Sequence, residues 1–144
     1  MDNQAPNLIV GWLTLVDLLR ERAGREPDRL AYTYLANDDG EELRLTYAEV
    51  DARARAIAAA LQRRVGQGER ALLLYPQGLE FVAAFFGCLY AGVVAVPCSP
   101  PHLARPESTL PRVRAVADNA RPRVVLTTLA LLRAGESVRS QALE

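Results

Sequence analysis

Hydrophobic positions along this chain recur with a period of about 3.6 residues in some stretches and about 2 in others, and the switches between the two predict its elements. Thr14 followed by Asp17 at the third helical position, with Leu13 and Leu18 placed as a staple across the first turn, predicts a helix running to Gly24. Leu30 to Leu35 alternates as a strand does, Asn37-Asp38-Asp39-Gly40 offers a turn, and Leu43 to Leu45 begins a return strand, which together predict a hairpin. The capping box and staple then recur: Thr46 reaches toward the Glu49 amide and Leu45 meets Val50. In the helix that follows, Tyr47, Val50, Ala54, Ile57, Ala58, Leu61 and Val65 fall at helical spacing. Glu49, Asp51, Arg53, Arg55 and Arg63 face away, and Gly66 and Gly68 stop the helix.

From Arg70 the pattern becomes short apolar runs separated by helices. Ala71 to Tyr75 is a strand, Leu79 to Ala91 a helix, and Val93 to Val96 a β-branched strand stopped by Pro97. Ser108 or Thr109 caps the next helix, with Pro111 in its first turn, an inner face of Leu110, Val113, Val116, Ala117 and Ala120, and Pro122 at its end. Arg123 to Thr127 is a third strand, and Thr128 caps a short helix that fades at Gly135. Strands this apolar, alternating with helices, predict an α/β fold: a parallel βαβαβ sheet with right-handed crossovers and helices on both faces, preceded by the N-terminal helix and the β-hairpin. Residues 1–144 read as one α/β piece without repeat or linker; only Pro97 to Pro106, with its four prolines, is loop-like.

Composition narrows the chemistry. The chain is 50% hydrophobic and 24% charged with no net charge, so it has no field to hold nucleic acid or an anionic membrane surface. All 17 basic residues are arginine, which excludes a Schiff-base lysine, a P-loop lysine or a lysine clamping a phosphoryl or acyl group. Phe81 to Ala104 carries no formal charge and is long enough to span a membrane, but Gly92 and the β-branched run ended by Pro97 point instead to a buried helix followed by a strand. The N-terminus lacks a basic region before its apolar stretch, so a cytoplasmic protein is expected. Cys88 and Cys98 each sit in an apolar run and read as reduced core thiols; with His102 they are too few and too scattered for zinc.

The first βα turn, Leu74-Tyr75-Pro76-Gln77-Gly78-Leu79, has one glycine, which is neither a dinucleotide fingerprint nor a phosphate loop. Gly78 reads as a plain helix cap. The single histidine, His102, lies three positions after Ser99 with no acid nearer than Glu107, a poor setting for a nucleophilic triad. Asp38-Asp39 and Glu41-Glu42 read as a solvated turn, and Arg20, Arg22, Arg25, Arg63 and Arg64 as solvent-facing ion-pair residues.

Assembled, the elements resemble the opening segment of the adenylate-forming superfamily, and within it the fatty acyl-AMP ligases. Thr14-Leu15-Val16-Asp17-Leu18-Leu19 with Glu26-Pro27-Asp28 is similar to the start of such enzymes, LTYAEVDARARAIAAAL at 45–61 to their first core motif, and YPQGLEFVAAFFGCLYAGVVAVPCSPP at 75–101 to the next. The acyl-AMP ligase character rests on Pro100-Pro101, a helix, and RPRVVLTT at 121–128. The resemblance runs from about residue 12 and implies roughly the first quarter of an enzyme that uses ATP and Mg to turn a fatty acid into an acyl-adenylate and passes it to a carrier-protein thiol. Its phosphate loop, ribose-binding acid, hinge and catalytic lysine all lie downstream of this segment. By resemblance, then, Leu45, Thr46, Tyr47, Glu49, Gly92, Pro97, Pro100 and Pro101 are motif positions with structural roles, and no catalytic, cofactor-binding or metal residue is expected here. Expected partners are the remainder of the adenylating enzyme, an acyl carrier protein, a fatty acid and, for the isolated chain, other copies of itself. The competing reading is a stand-alone carrier- or acyl-binding module that uses Phe81, Phe85, Phe86 and the proline-rich loop.

Overall fold

The computed structural model describes residues 14–36, 40–102 and 105–141. Helix α1 (Leu15–Arg25) starts from Thr14, whose hydroxyl accepts the Asp17 N–H at 3.1 Å while the Asp17 carboxylate accepts the Thr14 N–H at 3.1 Å. Leu13, the other half of the predicted staple, lies outside the described residues. Strands β1 (Leu30–Leu35) and β2 (Glu42–Thr46) form the antiparallel hairpin, with the register slipping between Leu30 and Tyr32. The predicted turn at Asn37, Asp38 and Asp39 is also outside the described residues. Helix α2 (Tyr47–Gln62) is capped as its sequence dictates: Thr46 Oγ1 accepts the Glu49 N–H at 3.3 Å, the Glu49 carboxylate accepts the Thr46 N–H at 2.8 Å, and Leu45 and Val50 are buried in one cluster.

Strands β3 (Arg70–Leu74), β4 (Val94–Cys98) and β5 (Val124–Thr127) form a parallel sheet in the order β4-β3-β5. Helices α3 (Leu79–Ala91) and α4 (Pro106–Ala120) make the two crossovers, and α5 (Leu129–Gln141) follows β5. The first crossover runs one way along the sheet and the second runs back, so right-handed connections put α3 and α4 on opposite faces. The core lies on the α3 face, where Ala71 and Leu73 of β3 pack with Ala84 and Cys88 of α3 and with Leu61 and Val65 from α2 and the turn after it. Helix α2 packs closely on α3 at Gly87, where a Cβ would stand 2.5 Å from Ile57 Cγ2.

The structure departs from the sequence expectations in four places. Strand β4 is not stopped by Pro97 but runs on through Pro97 and Cys98. The Val94 N–H bonds the Glu69 carbonyl of the β3 side at 2.8 Å, so by alternation Pro97 turns its donorless nitrogen to the free edge and the ladder loses nothing. Helix α4 starts at Pro106 rather than at Ser108 or Thr109, because proline at the first helical position gives up no bond; Pro111 consequently sits inside the helix. Ser108 Oγ instead donates to the Arg105 carbonyl at 2.9 Å, and Thr109 Oγ1 accepts the His102 N–H at 2.8 Å. The loop is therefore shorter than Pro97 to Pro106 at both ends. Thr128 does cap α5, accepting the Leu131 N–H at 3.2 Å, but the helix continues through Gly135 to Gln141, since one glycine costs a helix only about 1 kcal/mol.

Candidate functional site

In a parallel α/β sheet the place to look for chemistry is the C-terminal end of the strands, where the βα turns converge. Here those turns are residues 75–78 after β3, the stretch from Ser99 after β4, and Thr128 after β5. Three adjoining clefts of about 280, 310 and 320 Å³ open there, the last between Tyr75, Arg53 and Glu80 on one side and Thr127 and Thr128 on the other.

Three of the polar side chains around these clefts hold backbone. Thr127 Oγ1 donates to the Leu74 carbonyl at 2.8 Å, tying β5 to the end of β3, and Thr128 is used as the α5 cap. The Cys98 thiol lies 3.6 Å from the Ser99 carbonyl. Burial raises the Tyr75 phenol above its ordinary range, with the Glu80 charge and Cys88 adding to it, so it stays protonated. Cys88 is buried in the core and its thiol is pushed up to about 11 by that burial, which makes it a packing residue and not a nucleophile. Among the described residues no cluster of His, Cys, Asp and Glu could hold a metal ion.

A nucleoside triphosphate needs converging amides and cations. Gly78 caps α3 at φ +146°, a backbone shape reserved for glycine, and no side chain completes the cap. It is one glycine in a turn whose cleft also holds Arg44, which pairs with Glu42, and Arg53 beside Glu80. These residues do not make a triphosphate site on their own.

The family-motif positions do not gather at one point. Leu45, Thr46, Tyr47 and Glu49 build the start of α2, with Leu45 buried and Tyr47 packed against the same cluster. Gly92 ends α3 in the left-handed region at φ +70°, beside Gln67, at the N-terminal end of the sheet. Pro97 lies on the edge strand, and Pro100 and Pro101 lie past its C-terminal end. Phe81 and Phe85 pack against one core cluster and Phe86 against the other, so the aromatic strip is divided between two interiors. No helix among the described residues is long and apolar enough to cross a membrane.

One cluster differs from its sequence expectation. Asp51, expected to face away from the core, turns into the contact between α2 and α3, where Tyr90 Oη donates to it at 2.7 Å and Arg55 Nε at 2.7 Å. Burial alone would raise the Asp51 carboxyl, but the hydrogen bonds from Arg55 and Tyr90 hold it below the usual range. Arg20 of α1, expected to be a plain solvent residue, lies over the Tyr90 ring at 4.9 Å. Arg22 and Arg25 do make the expected helix ion pairs, with Glu26 and Glu21. The signal for the cluster was the spacing of Asp51 and Arg55 by one helical turn; a partner on α3, 39 residues later, is not visible in a local pattern.

Residues 19–144 match the family model of the AMP-binding enzymes. The chain is 54% identical over 114 residues to the medium-chain-fatty-acid acyl-carrier-protein ligase JamA of Moorena producens, across 79% of this chain and 19% of that protein. It is 38% identical to the long-chain-fatty-acid–AMP ligase FadD23 of Mycobacterium tuberculosis, across 83% of this chain and 20% of FadD23. Its fold overlays the crystal structure of a fatty acid AMP ligase from Legionella pneumophila with a TM-score of 0.77 and 39% identity, across 83% of this chain and 20% of that one. The chain thus spans about a fifth of the length of each of these relatives. On the sequence match over most of its length and on the shared arrangement of its sheet and helices, it belongs to the AMP-binding enzyme family.

Proposed function

We propose that this chain supplies the first sheet of an ATP-dependent fatty-acid-activating enzyme, one that joins a carboxylate to AMP and passes the acyl group to the thiol of a carrier protein. The observation that carries the reading is the 54% identity to a fatty-acid acyl-carrier-protein ligase along 79% of the chain. The role of the segment is scaffolding: Thr127 and Thr128 hold backbone at its strand ends, Leu45 and Tyr47 pack in the core, and Thr46, Glu49, Gly92, Pro97, Pro100 and Pro101 set backbone shape. ATP and Mg would be held by residues beyond the matched fifth, because adenylation needs donors and cations aimed at the α-phosphate, and this segment does not assemble them. Alone, the chain self-associates through apolar surface it leaves uncovered.

ATP–pyrophosphate exchange with medium- and long-chain fatty acids tests this. The 144-residue chain alone should give none, and the same chain fused in place of the matched fifth of the Legionella ligase should restore fatty-acid-dependent exchange. Exchange by the chain alone would overturn the scaffold role; a folded but inert fusion would overturn the fatty-acid-activating reading.

A further inference from the structure

At the N-terminal end of the parallel sheet, opposite the strand-end clefts, three neighbouring positions form a row that the core does not use. Val94 of β4 stands in register with Arg70 of β3, and Arg123 lies beside Arg70, one residue before the pair Ala71 and Val124. Ala71 and Val124 face the α3 core, so by alternation Val94, Arg70 and Arg123 project to the α4 side, and Val125 follows Arg123 there. All four are exposed. The arrangement works against the fold, because two like charges stand side by side on adjacent strands. The acids nearby do little to relieve it. Glu69 reaches Arg123 only at 3.8 Å, while its other oxygen accepts the Gly66 N–H at 2.6 Å. Asp118, Arg70 and Arg121 make no ion pair among the described residues. Arg121 adds a second cost: it ends α4 in the left-handed region at φ +47°, the one non-glycine residue there among the described residues, where glycine is the usual ending. A strained guanidinium beside a repelling pair points to contact with something outside the fold.

We infer that this end of the sheet docks an acidic helix of a protein partner, whose carboxylates pair with Arg70 and Arg123, with Arg121 extending the contact and Val94 and Val125 taking the helix's apolar flank. The spacing fits: neighbouring strands lie about 4.8 Å apart, and side chains four residues apart on a helix stand about 5–6 Å apart. Guanidiniums bind carboxylates bidentately, which suits paired acids held at a fixed separation. The row has no aromatic side chain on which a base could stack, and no aromatic or long apolar side chain to enter a bilayer. The chain as a whole carries no net charge, so the attraction is local and not a field suited to a nucleic acid. The surface is separate from the fatty-acid-activating reading and does not depend on it.

Fluorescence anisotropy of a labelled alanine-rich helical peptide with glutamate at every fourth position tests it, using the 144-residue chain diluted until light scattering gives the monomer mass. Saturable binding is expected at low salt, and it should weaken at least about tenfold between about 0.05 M and about 0.5 M salt. Replacing Arg70 and Arg123 together by Gln should weaken binding at least about tenfold. Arg112→Gln, at an exposed arginine in the first half of α4, should leave binding unchanged. Arg121→Gly separates docking from folding, since it should raise the urea midpoint while weakening binding severalfold. No saturable binding, binding indifferent to salt, or full affinity in the folded double variant would each overturn the inference. So would a raised midpoint in Arg121→Gly with binding intact, and the salt and Arg121 arms stand even if the double variant does not fold. Tighter binding to single-stranded oligodeoxythymidine or to phosphatidylserine vesicles than to the peptide would overturn the choice of a protein partner.

Discussion

The two faces of the three-stranded sheet share the same strands but are finished to different degrees. On the α3 face Ala71 and Leu73 are fully buried under a helix that is itself covered by α2. On the α4 face Leu72 is buried, but none of residues 107–120 of α4 is fully buried, and Val94 and Val125 are about half exposed, at 48% and 49%. The sequences of the covering helices account for the difference. Helix α3 is apolar almost all round, Leu-Glu-Phe-Val-Ala-Ala-Phe-Phe-Gly-Cys-Leu-Tyr-Ala, and can be sandwiched between sheet and α2. Helix α4 has one apolar stripe, Leu110, Val113, Val116, Ala117 and Ala120, and each of these is only half-buried. A parallel sheet is ordinarily covered on both faces; here Leu72 at the middle of the α4 face is buried while Val94 and Val125 beside it are half exposed, so this face is covered at its centre and open at its margins.

Truncating one residue on each face tests the comparison most severely. Leu73→Ala should cost about 2–5 kcal/mol, the usual range for a fully buried leucine, whereas Val125→Ala on the open face should cost under about 1 kcal/mol. Urea midpoints of the two variants decide it; equal losses would mean the faces are equally packed. Glycine substitutions sharpen the contrast by sign. Gly87→Ala pushes a methyl into Ile57 and should destabilise by about 1–3 kcal/mol. Gly135→Ala in α5, with nothing within 4 Å of the new Cβ, should stabilise by about 0.5–1 kcal/mol.

A small effect is also expected at the polar pin across the closed side. Tyr90→Phe removes the hydroxyl that donates to Asp51 and should cost about 1 kcal/mol near neutral pH. Because the folded Asp51 carboxyl is held below its ordinary value, its contribution is present above the unfolded pKa of about 3.9 and is lost as pH falls through the depressed folded value. The variant should therefore lose less stability than the parent between neutral pH and pH about 3, a difference that acid-dependent unfolding curves would reveal.

Most of the fold was legible because its signals are local. The capping boxes at Thr14–Asp17 and Thr46–Glu49, the helix ends at Gly92 and Pro122, and the cap at Thr128 each lie within a few residues of the element they define. What escaped depends on tertiary placement. Whether Pro97 ends a strand depends on which way its nitrogen faces, and that depends on β4 being an edge strand. The contact between Gly87 and Ile57, and the turning of Asp51 toward Tyr90, arise only once α2 lies on α3. The strand-end clefts were not legible, because they gather Arg53, Tyr75 and Glu80 with Thr127 and Thr128 only once β5 pairs with β3 beside α2 and α3.

The central claim is that this chain is a sheet sealed on one side and only partly covered on the other. Static light scattering of the isolated chain across a dilution series, in buffer without detergent, tests it most directly. The account predicts a mass that rises above 15.8 kDa with concentration, and that falls back toward 15.8 kDa when Val94 and Val125 on the open side are both replaced by Asp. A chain that stays at 15.8 kDa at every concentration, and that fails to bind a dye reporting exposed apolar surface, would contradict it.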